Sequence, residues 1–132
     1  MITVLFACVH NAGRSQIAAA LFNRHADPAK ARAISAGTQP ADRVHPEVVT
    51  LMREMGIDLS NQQPQKLTEA LAAQAQWLIT MGCGDECPVV PGTRRDDWPL
   101  QDPKGQPPAM VQGIAADIDR RVRALIAANR WQ

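Results

Sequence analysis

The sequence lacks tyrosine, long runs of like charge and any apolar stretch long enough to cross a membrane. Its apolar start, residues 2–7, is far shorter than the about 20 residues of a membrane-spanning helix and has no basic segment before it. Lys and Arg number 14 against 13 Asp and Glu, a balance that argues against a nucleic-acid or membrane-surface partner, which would need a basic patch. We therefore expect a cytoplasmic protein.

Cysteine is also scarce, because the chain contains only Cys8, Cys83 and Cys87. A small, odd number in an intracellular protein argues against a structural disulfide framework and indicates thiols that do chemistry. Internal repeats, low-complexity segments and linkers are absent. The length of 132 residues and the apolar fraction of 45% fit one folded domain, residues 1–132, with its own core.

Apolar segments that alternate with amphipathic ones predict an α/β protein. Residues 2–7 predict a strand buried on both faces, and the spacing of Ile17, Leu21 and Phe22 predicts a helix over 15–25. Further strands are predicted over 31–35, over 77–81 and near 97–98, and further helices over 45–55, over 68–75 and from 107 onward. Trp131, beyond this last helix, is expected to pack against the core rather than to contact a partner.

Strands that alternate with helices predict a three-layer sandwich, with a central four-stranded parallel sheet and helices on both faces. Ligands of such sheets bind beyond the carboxyl ends of the strands, at a topological switch point. We therefore expect the loops after the first and third strands to meet there, with the loop around Asp102 at the same edge.

The segment between the first strand and the first helix, residues 8–15, is called the Cys8 loop and has the spacing Cys-x₅-Arg-Ser. A curled loop before a helix N-terminus offers backbone N–H groups that bind anions, and Arg14 can hold two oxygens of an oxyanion. This positive field favours Cys8 as a thiolate nucleophile, to which Ser15 can donate a hydrogen bond. The predicted oxyanion-binding residues are Val9, His10, Asn11, Ala12, Gly13, Arg14 and Ser15.

Smaller features of the Cys8 loop support this interpretation. Gly13 permits close backbone approach, and Asn11 tolerates the left-handed conformation and can brace the loop. His10 can tune Cys8 electrostatically, although a variable loop position is the favoured interpretation. The alternative for the whole loop is a buried structural cysteine with an arginine nearby by chance, since free cysteine is often a small buried apolar residue.

Cys83 and Cys87 lie four residues apart in a glycine-containing loop. A zinc site would lack two of its ligands, so we predict no metal, and a catalytic disulfide pair fits better. On a regular helix their Cβ atoms would be ~5–6 Å apart, whereas a disulfide needs ~3.5–4.5 Å. Oxidation would therefore reshape this segment, and the alternative is a pair of inert loop thiols.

Asp102 precedes Pro103 in a loop after the last predicted strand. A carboxyl group at this place can protonate a departing oxygen as a general acid. Asp-Pro is also a common turn start, and taken alone the residues favour the turn.

The Cys8 loop and Asp102-Pro103 together resemble the phosphate-binding loop and the general-acid Asp-Pro of the low-molecular-weight protein tyrosine phosphatase superfamily. Within that superfamily, residues 35–37, 55–58, 60–61 and 82–88 are similar to those of the arsenate reductases. The resemblance covers nearly the whole chain.

This resemblance implies a mechanism for arsenic detoxification. Cys8 attacks arsenate while Asp102 protonates the leaving oxygen, and Cys83 then attacks the adduct, releases arsenite and leaves a Cys8–Cys83 disulfide. Cys87 attacks Cys83, and the Cys83–Cys87 disulfide is reduced by thioredoxin or, as in some related enzymes, by mycothiol or glutathione. The resemblance implies no tightly bound cofactor, and phosphate or sulfate as competing oxyanions.

Several positions depart from the pattern of the family. Gly13 stands where thioredoxin-linked relatives carry an additional cysteine, and Cys83 lies closer to Cys87 than the matching pair does in those relatives, which leaves the reductant open. At the potassium site of some members, Asn11 and Ser35 remain but the acidic positions are Ala19 and Gln65. We therefore predict no potassium binding.

Two other functions fit parts of the sequence. A protein tyrosine phosphatase would use Cys8, Arg14 and Asp102, but the aromatic residues usually found beside the general acid are replaced by Lys-Gly-Gln at 104–106, and Trp98 is the only aromatic residue nearby. A non-catalytic module could bind an oxyanion, or chelate arsenite with three thiols. Such a module has no need of a general acid, which argues against it.

Overall fold

The computed structural model describes residues 1–82 and 92–132. The elements of this part of the chain are, in order, β1 (Ile2–Cys8), α1 (Arg14–His25), β2 (Ala31–Gly37), α2 (Pro46–Glu54), α3 (Glu69–Ala73), β3 (Trp77–Thr80), β4 (Arg94–Asp97) and α4 (Pro108–Asn129).

The strands of the described residues form one parallel sheet in the order β2-β1-β3-β4. β1 pairs with β2 along its full length, from Ile2 opposite Ala31 to Cys8 opposite Gly37. The chain passes from β1 to β2 on one side and then crosses to β3 on the other side of β1. The switch point therefore lies between the carboxyl ends of β1 and β3, and β1 ends at Cys8.

Alternate residues of β1 face two apolar layers. Val4 and Phe6 pack in the larger core with residues of α1, α2 and α4. Leu5 and Ala7 pack in a smaller core with Leu78 and the α3 residue Ala72. This is the three-layer arrangement with helices on both faces of a parallel sheet that the sequence predicts, and the prediction is confirmed.

Most boundaries lie within one or two residues of their predicted positions; β2 shows the larger of these differences, and β4 lies elsewhere. β2 continues to Gly37 rather than ending at residue 35, because Ser35, Ala36 and Gly37 pair with the end of β1. β4 lies at Arg94–Asp97 rather than at residues 97–98, and all four of its residues are exposed. An exposed edge strand of charged residues has no apolar alternation from which it could be recognised.

The C-terminal helix and Trp131 close the larger core. α4 buries one stripe that consists of Val111, Ile114, Ala115, Ile118, Val122 and Ile126. The Trp131 ring packs against Phe22 and Trp77 at centroid distances of 5.9 and 6.2 Å, which confirms the expected packing role. None of the helices among the described residues has the length and apolarity needed to cross a bilayer.

Candidate active site

The Cys8 loop is held from outside through its carbonyl groups. Four of them accept hydrogen bonds from backbone N–H groups of the segment after β2, in the pairs Thr38 to Cys8, Gln39 to Val9, Ala41 to His10 and His45 to Ala12, over 2.8–3.2 Å. In a trans peptide the carbonyl and the following N–H lie on opposite sides. The outward carbonyls therefore turn loop N–H groups inward, which is the geometry of an anion nest.

Cys8 is the first residue of this loop and is only 2% exposed. Its Sγ atom is 2.8 Å from Ser15 Oγ and accepts a hydrogen bond from the Asn11 backbone N–H at 3.3 Å. Asn11 Nδ2 donates to Ser15 Oγ at 2.7 Å, so the hydroxyl accepts from the amide and can direct its own hydrogen at sulfur. Two donors thus converge on Sγ, an arrangement suited to a thiolate.

Asn11 is fully buried and adopts φ 51°, in the left-handed region that asparagine tolerates better than most residues. Its Oδ1 accepts from the Gln65 backbone N–H at 2.9 Å and from Gln16 Nε2 at 3.2 Å. Because these donors fix Oδ1, Nδ2 must face Ser15. The side chain of Asn11 therefore links the segment around Gln65 to the hydroxyl beside Cys8.

Two glycines allow other segments to approach the Cys8 loop closely. A Cβ atom on Gly37 would lie 2.6 Å from the Val9 carbonyl oxygen, so a side chain there would push the end of β2 away from the loop. A Cβ atom on Gly13 would lie 2.8 Å from Cγ of Pro103, which is itself buried. The Pro103 ring occupies the place of a side chain at residue 13 and brings Asp102 to the Cys8 loop.

Arg14 connects the Cys8 loop to two other strand ends. Its guanidinium donates from Nη1 to the Leu100 carbonyl at 3.0 Å, and Nη2 lies 3.9 Å from Asp102 Oδ2. Gly82, at φ 96° just after β3, packs so closely against Nη1 that a side chain there would collide with it. The loops after β1, β3 and β4 therefore meet at one edge of the sheet, as expected.

Asp102 fits both interpretations of the Asp-Pro sequence. Its Oδ1 accepts the Lys104 backbone N–H at 3.0 Å, which makes it the start of a turn. Its Oδ2 faces Arg14, and the side chain is 41% exposed, so the ion pair is loose and partly screened by solvent. One carboxylate oxygen accepts the hydrogen bond of the turn, and the other faces Arg14 of the Cys8 loop.

The other sequence-predicted residues of the loop have lesser roles in the geometry. His10 Nδ1 lies 3.1 Å from the Gln39 carbonyl oxygen, beside the segment after β2. Val9 packs against the smaller core. Ala12 is fully buried. Cys83 and Cys87 lie outside the described residues.

Three of the four positions compared with the potassium site line one cavity of about 350 Å³ together with Gln16. This cavity includes Ala19, Ser35 and Gln65, and Gln65 Nε2 donates to the Ser35 carbonyl at 2.7 Å. Gln16 and Gln65 both contact Asn11, so the cavity lies behind the Cys8 loop. The expectation of no potassium binding stays a prediction.

Sequence reasoning missed two residues at the start of α2. His45 is buried, and this burial lowers its pKa even though the nearby carboxylates of Asp102 and Glu47 act to raise it. Glu47 Oε1 accepts the Gly105 backbone N–H at 2.9 Å. An acidic residue in the first turn of a helix is common, so no local signal distinguishes Glu47 from an ordinary helix start.

Comparison with known proteins gives the relatives of this chain. A sequence model of the family described as low molecular weight phosphotyrosine protein phosphatase matches residues 3–130. The glutaredoxin arsenate reductase of Synechocystis sp. is 33% identical over 94% of this chain and 95% of its own length.

Two solved structures are similar over nearly the whole chain. The thioredoxin-dependent arsenate reductase of Corynebacterium glutamicum is 41% identical, with a TM-score of 0.84 over 97% of this chain, which spans 61% of the length of that protein. The arsenate reductase of Archaeoglobus fulgidus is 31% identical, with a TM-score of 0.82 over 94% of this chain and 98% of its own.

Proposed function

The chain belongs to the low molecular weight phosphotyrosine protein phosphatase family, and we propose that within this family it is an arsenate reductase. Similar proteins that are 31–41% identical carry that name. The observation that carries the proposal is the site itself. The buried Cys8 thiol accepts a hydrogen bond from the Asn11 N–H within the Cys8 loop, and Arg14 of that loop lies 3.9 Å from Asp102.

In the first step, arsenate binds to the inward N–H groups of the Cys8 loop and to the Arg14 guanidinium. The Cys8 thiolate attacks arsenic, and the departing oxygen takes a proton from the Asp102 carboxyl and leaves as water. The product is a sulfur–arsenic bond at Cys8. The contacts of Sγ with Ser15 and Asn11 support this step, because they stabilise the thiolate both as nucleophile and as later leaving group.

In the second step, the Cys83 thiolate attacks the Cys8 sulfur, and the electrons of the sulfur–arsenic bond stay on arsenic, which leaves as arsenite. The Cys87 thiolate then attacks Cys83 and releases the Cys8 thiolate. The sequence supports these roles, and so does the position of Gly82, because the residue bonded to Cys83 packs against the Arg14 guanidinium of the Cys8 loop.

Each turnover leaves a Cys83–Cys87 disulfide, so the enzyme needs an external thiol reductant that supplies two electrons. We propose that thioredoxin is this donor, with mycothiol or glutathione as the alternative. The Corynebacterium glutamicum relative is named as thioredoxin-dependent, whereas the Synechocystis relative carries glutaredoxin in its name.

The setting of the reaction follows from its thiol chemistry. We propose that the chain acts as one domain over residues 1–132, in the cytoplasm, where reducing systems keep thiols reduced. Its function there is arsenic detoxification, with phosphate and sulfate as competing oxyanions because both are tetrahedral anions that fit the same N–H groups.

A phosphatase is the second candidate, because Cys8, Arg14 and Asp102 also suffice to transfer and hydrolyse a phosphoryl group. That reaction needs no further thiol. A phosphatase would therefore keep its activity in Cys83→Ser and Cys87→Ser variants, whereas an arsenate reductase would not.

The test is arsenite formation from arsenate by the purified protein with thioredoxin, thioredoxin reductase and NADPH. We expect turnover by the wild type and none by Cys8→Ser, Cys83→Ser or Cys87→Ser. Turnover that requires mycothiol or glutathione, or that tolerates loss of Cys87, would identify a different electron donor. Hydrolysis of aryl phosphates without arsenate reduction by any donor would favour the phosphatase.

A further inference from the structure

The segment that carries Asp102, residues 100–106, is called the acid loop, and three of its contacts with neighbouring elements concern its position. The Leu100 carbonyl accepts from Arg14 Nη1 at 3.0 Å. The Pro103 ring fills the space left by Gly13. The Gly105 backbone N–H donates to Glu47 Oε1 at 2.9 Å, and this third contact alone is made by a side chain of α2.

Inside the acid loop, Asp102 and Gly105 belong to one hydrogen-bonded turn. The Asp102 Oδ1 atom accepts the Lys104 N–H at 3.0 Å, and the Gln106 N–H donates to the Pro103 carbonyl at 3.1 Å. Gly105 adopts φ 71°, a conformation that lets the turn close. A contact at the Gly105 N–H therefore helps to set the position of the turn that carries the Asp102 carboxyl.

We propose that Glu47 is a positioning residue that holds the acid loop, and through it Asp102, against the Cys8 loop. This inference rests on the proposed function, because it concerns how the general acid of that reaction is placed. The contact joins residues 58 positions apart, so it is a tertiary link rather than a local turn.

The start of α2 is well placed for this role because it also binds the Cys8 loop. The His45 backbone N–H donates to the Ala12 carbonyl at 2.9 Å, and Pro46 then begins the helix that carries Glu47. One rigid helix start thus touches the loop of the nucleophile and the loop of the acid. Its position fixes the distance between them.

The charge state of Glu47 supports the contact. Partial burial raises the pKa of Glu47, but the hydrogen bonds from the Gly105 N–H and from its own backbone, with His45 nearby, lower it by more. The pKa therefore lies below its ordinary value, and Glu47 is ionised at neutral pH. A hydrogen bond to a carboxylate is stronger than one to a neutral acceptor.

The experiment compares Glu47→Ala and Glu47→Gln in arsenate reduction, with Glu54→Ala as the control. Glu54 is an exposed acidic residue at the end of the same helix, so its loss changes the net charge equally. We expect Glu47→Ala to lower kcat about fivefold with KM within about twofold, because a loosened general acid keeps part of its effect. Glu47→Gln keeps an oxygen acceptor and should stay within about twofold of wild type, as should Glu54→Ala.

Repeating the Glu47→Ala substitution in an Asp102→Ala protein distinguishes a positioning role of Glu47 from a general effect on stability. Asp102→Ala should lower kcat about a hundredfold, and Glu47→Ala should add nothing to it if Glu47 acts through Asp102. The same fivefold loss in both backgrounds, or an Asp102→Ala variant as active as wild type, would overturn the proposal.

Amide hydrogen exchange gives a readout that does not depend on turnover. We expect the Gly105 N–H to exchange faster in Glu47→Ala than in wild type or Glu54→Ala. An unchanged exchange rate of the Gly105 N–H would overturn the proposed role of Glu47, whatever the activity of the variant. If the wild type reduces no arsenate with any donor while Gly105 exchange still responds, the proposed function fails, and so does the role of Glu47 in it.

Discussion

Asn11 shows how single residues shape the environment of the nucleophile. It takes the left-handed conformation that the curl of the loop requires, donates to Ser15 and accepts from Gln16 and the Gln65 backbone. Each of these contacts is buried or partly buried, so water does not replace them easily. The hydroxyl beside Cys8 is therefore oriented before any substrate binds, which is the preorganisation that catalysis by hydrogen-bond donors requires.

Gly13→Ala should damage the site because a Cβ atom at residue 13 would lie 2.8 Å from Cγ of the buried Pro103. Relieving this overlap must move the acid loop, so we expect a loss of about 1–3 kcal/mol of stability and a lower kcat. Gly113→Ala is the matched control, since its Cβ would meet nothing within 4 Å and it lies in α4. It should stabilise the protein by about 0.5–1 kcal/mol, because alanine favours a helix more than glycine does.

Thermal or denaturant unfolding of both variants, together with arsenate reduction, checks this prediction. If Gly13→Ala and the wild type have equal stability and activity, the Pro103 ring can shift away from residue 13 at little cost in free energy.

His45 makes stability depend on pH. Burial lowers its pKa below the ordinary value of 6.5, so just below pH 6.5 the unfolded chain binds more protons at this residue than the folded one. Stability rises with pH wherever the unfolded state binds more protons. The contribution of neutral His45 is therefore complete above about pH 6.5 and is lost as pH falls towards the lowered pKa.

The check is urea unfolding of the wild type and His45→Gln between pH 7.5 and the lowest pH at which both proteins are still folded. We expect the wild type to lose stability relative to the variant as pH falls below about 6.5, while the backbone hydrogen bond to Ala12 is retained in both. Parallel curves for the two proteins would contradict the assigned burial effect.

At the scale of elements, the sequence patterns predicted what depends on local periodicity. β1 and α4 have strong patterns of buried residues, and β1 was predicted close to both of its observed bounds and α4 close to its observed start. The end of β2 and the whole of β4 were predicted less well, because pairing with a neighbouring strand defines them rather than their own apolar residues. α3 was recognisable from Thr68, whose Oγ1 accepts the Leu71 N–H at 3.0 Å.

The residues of the candidate site also differ in whether the sequence could predict their contacts. Cys8 and Ser15 share one short loop, so their spacing alone predicted that they meet, and their Sγ and Oγ atoms lie 2.8 Å apart. Glu47 and His45 could not be predicted, because their contacts depend on how the start of α2 packs against two distant loops. The roles of Cys83 and Cys87 stay predictions.

The end of α4 offers a test of element stability that leaves the site untouched. Arg130 caps the helix at φ 58°, a left-handed conformation that suits glycine better than arginine. We expect Arg130→Gly to raise the free energy of unfolding by about 0.5–1 kcal/mol. Ala124→Gly in the exposed middle of α4 should lower it by about 1 kcal/mol.

Chemical denaturation measures both changes, and arsenate reduction should be the same in both variants and the wild type. If glycine raises the free energy of unfolding at residue 130 and lowers it at residue 124, the backbone conformation of each position decides the effect. A loss of stability in Arg130→Gly would mean that the arginine side chain stabilises the helix end by more than its conformation costs.

At the scale of the whole molecule, parallel topology assembles the site from distant segments. The strand order β2-β1-β3-β4 places the ends of β1 and β3 side by side, so the Cys8 loop and Gly82 meet. The segment after β2 and the acid loop close over the same edge. In the proposed reaction, one thiol at this edge attacks the oxyanion, and a second thiol, next along the chain from Gly82, completes the reduction.

The most direct test of this account is a single turnover without any external reductant. Fully reduced wild-type protein is mixed with arsenate, arsenite is quantified, and peptide mapping by mass spectrometry locates the disulfide. We predict about one arsenite per chain with a Cys83–Cys87 disulfide, and a trapped Cys8–Cys83 disulfide in Cys87→Ser. Absence of arsenite from fully reduced protein, or arsenite formation by Cys8→Ser, would contradict the account.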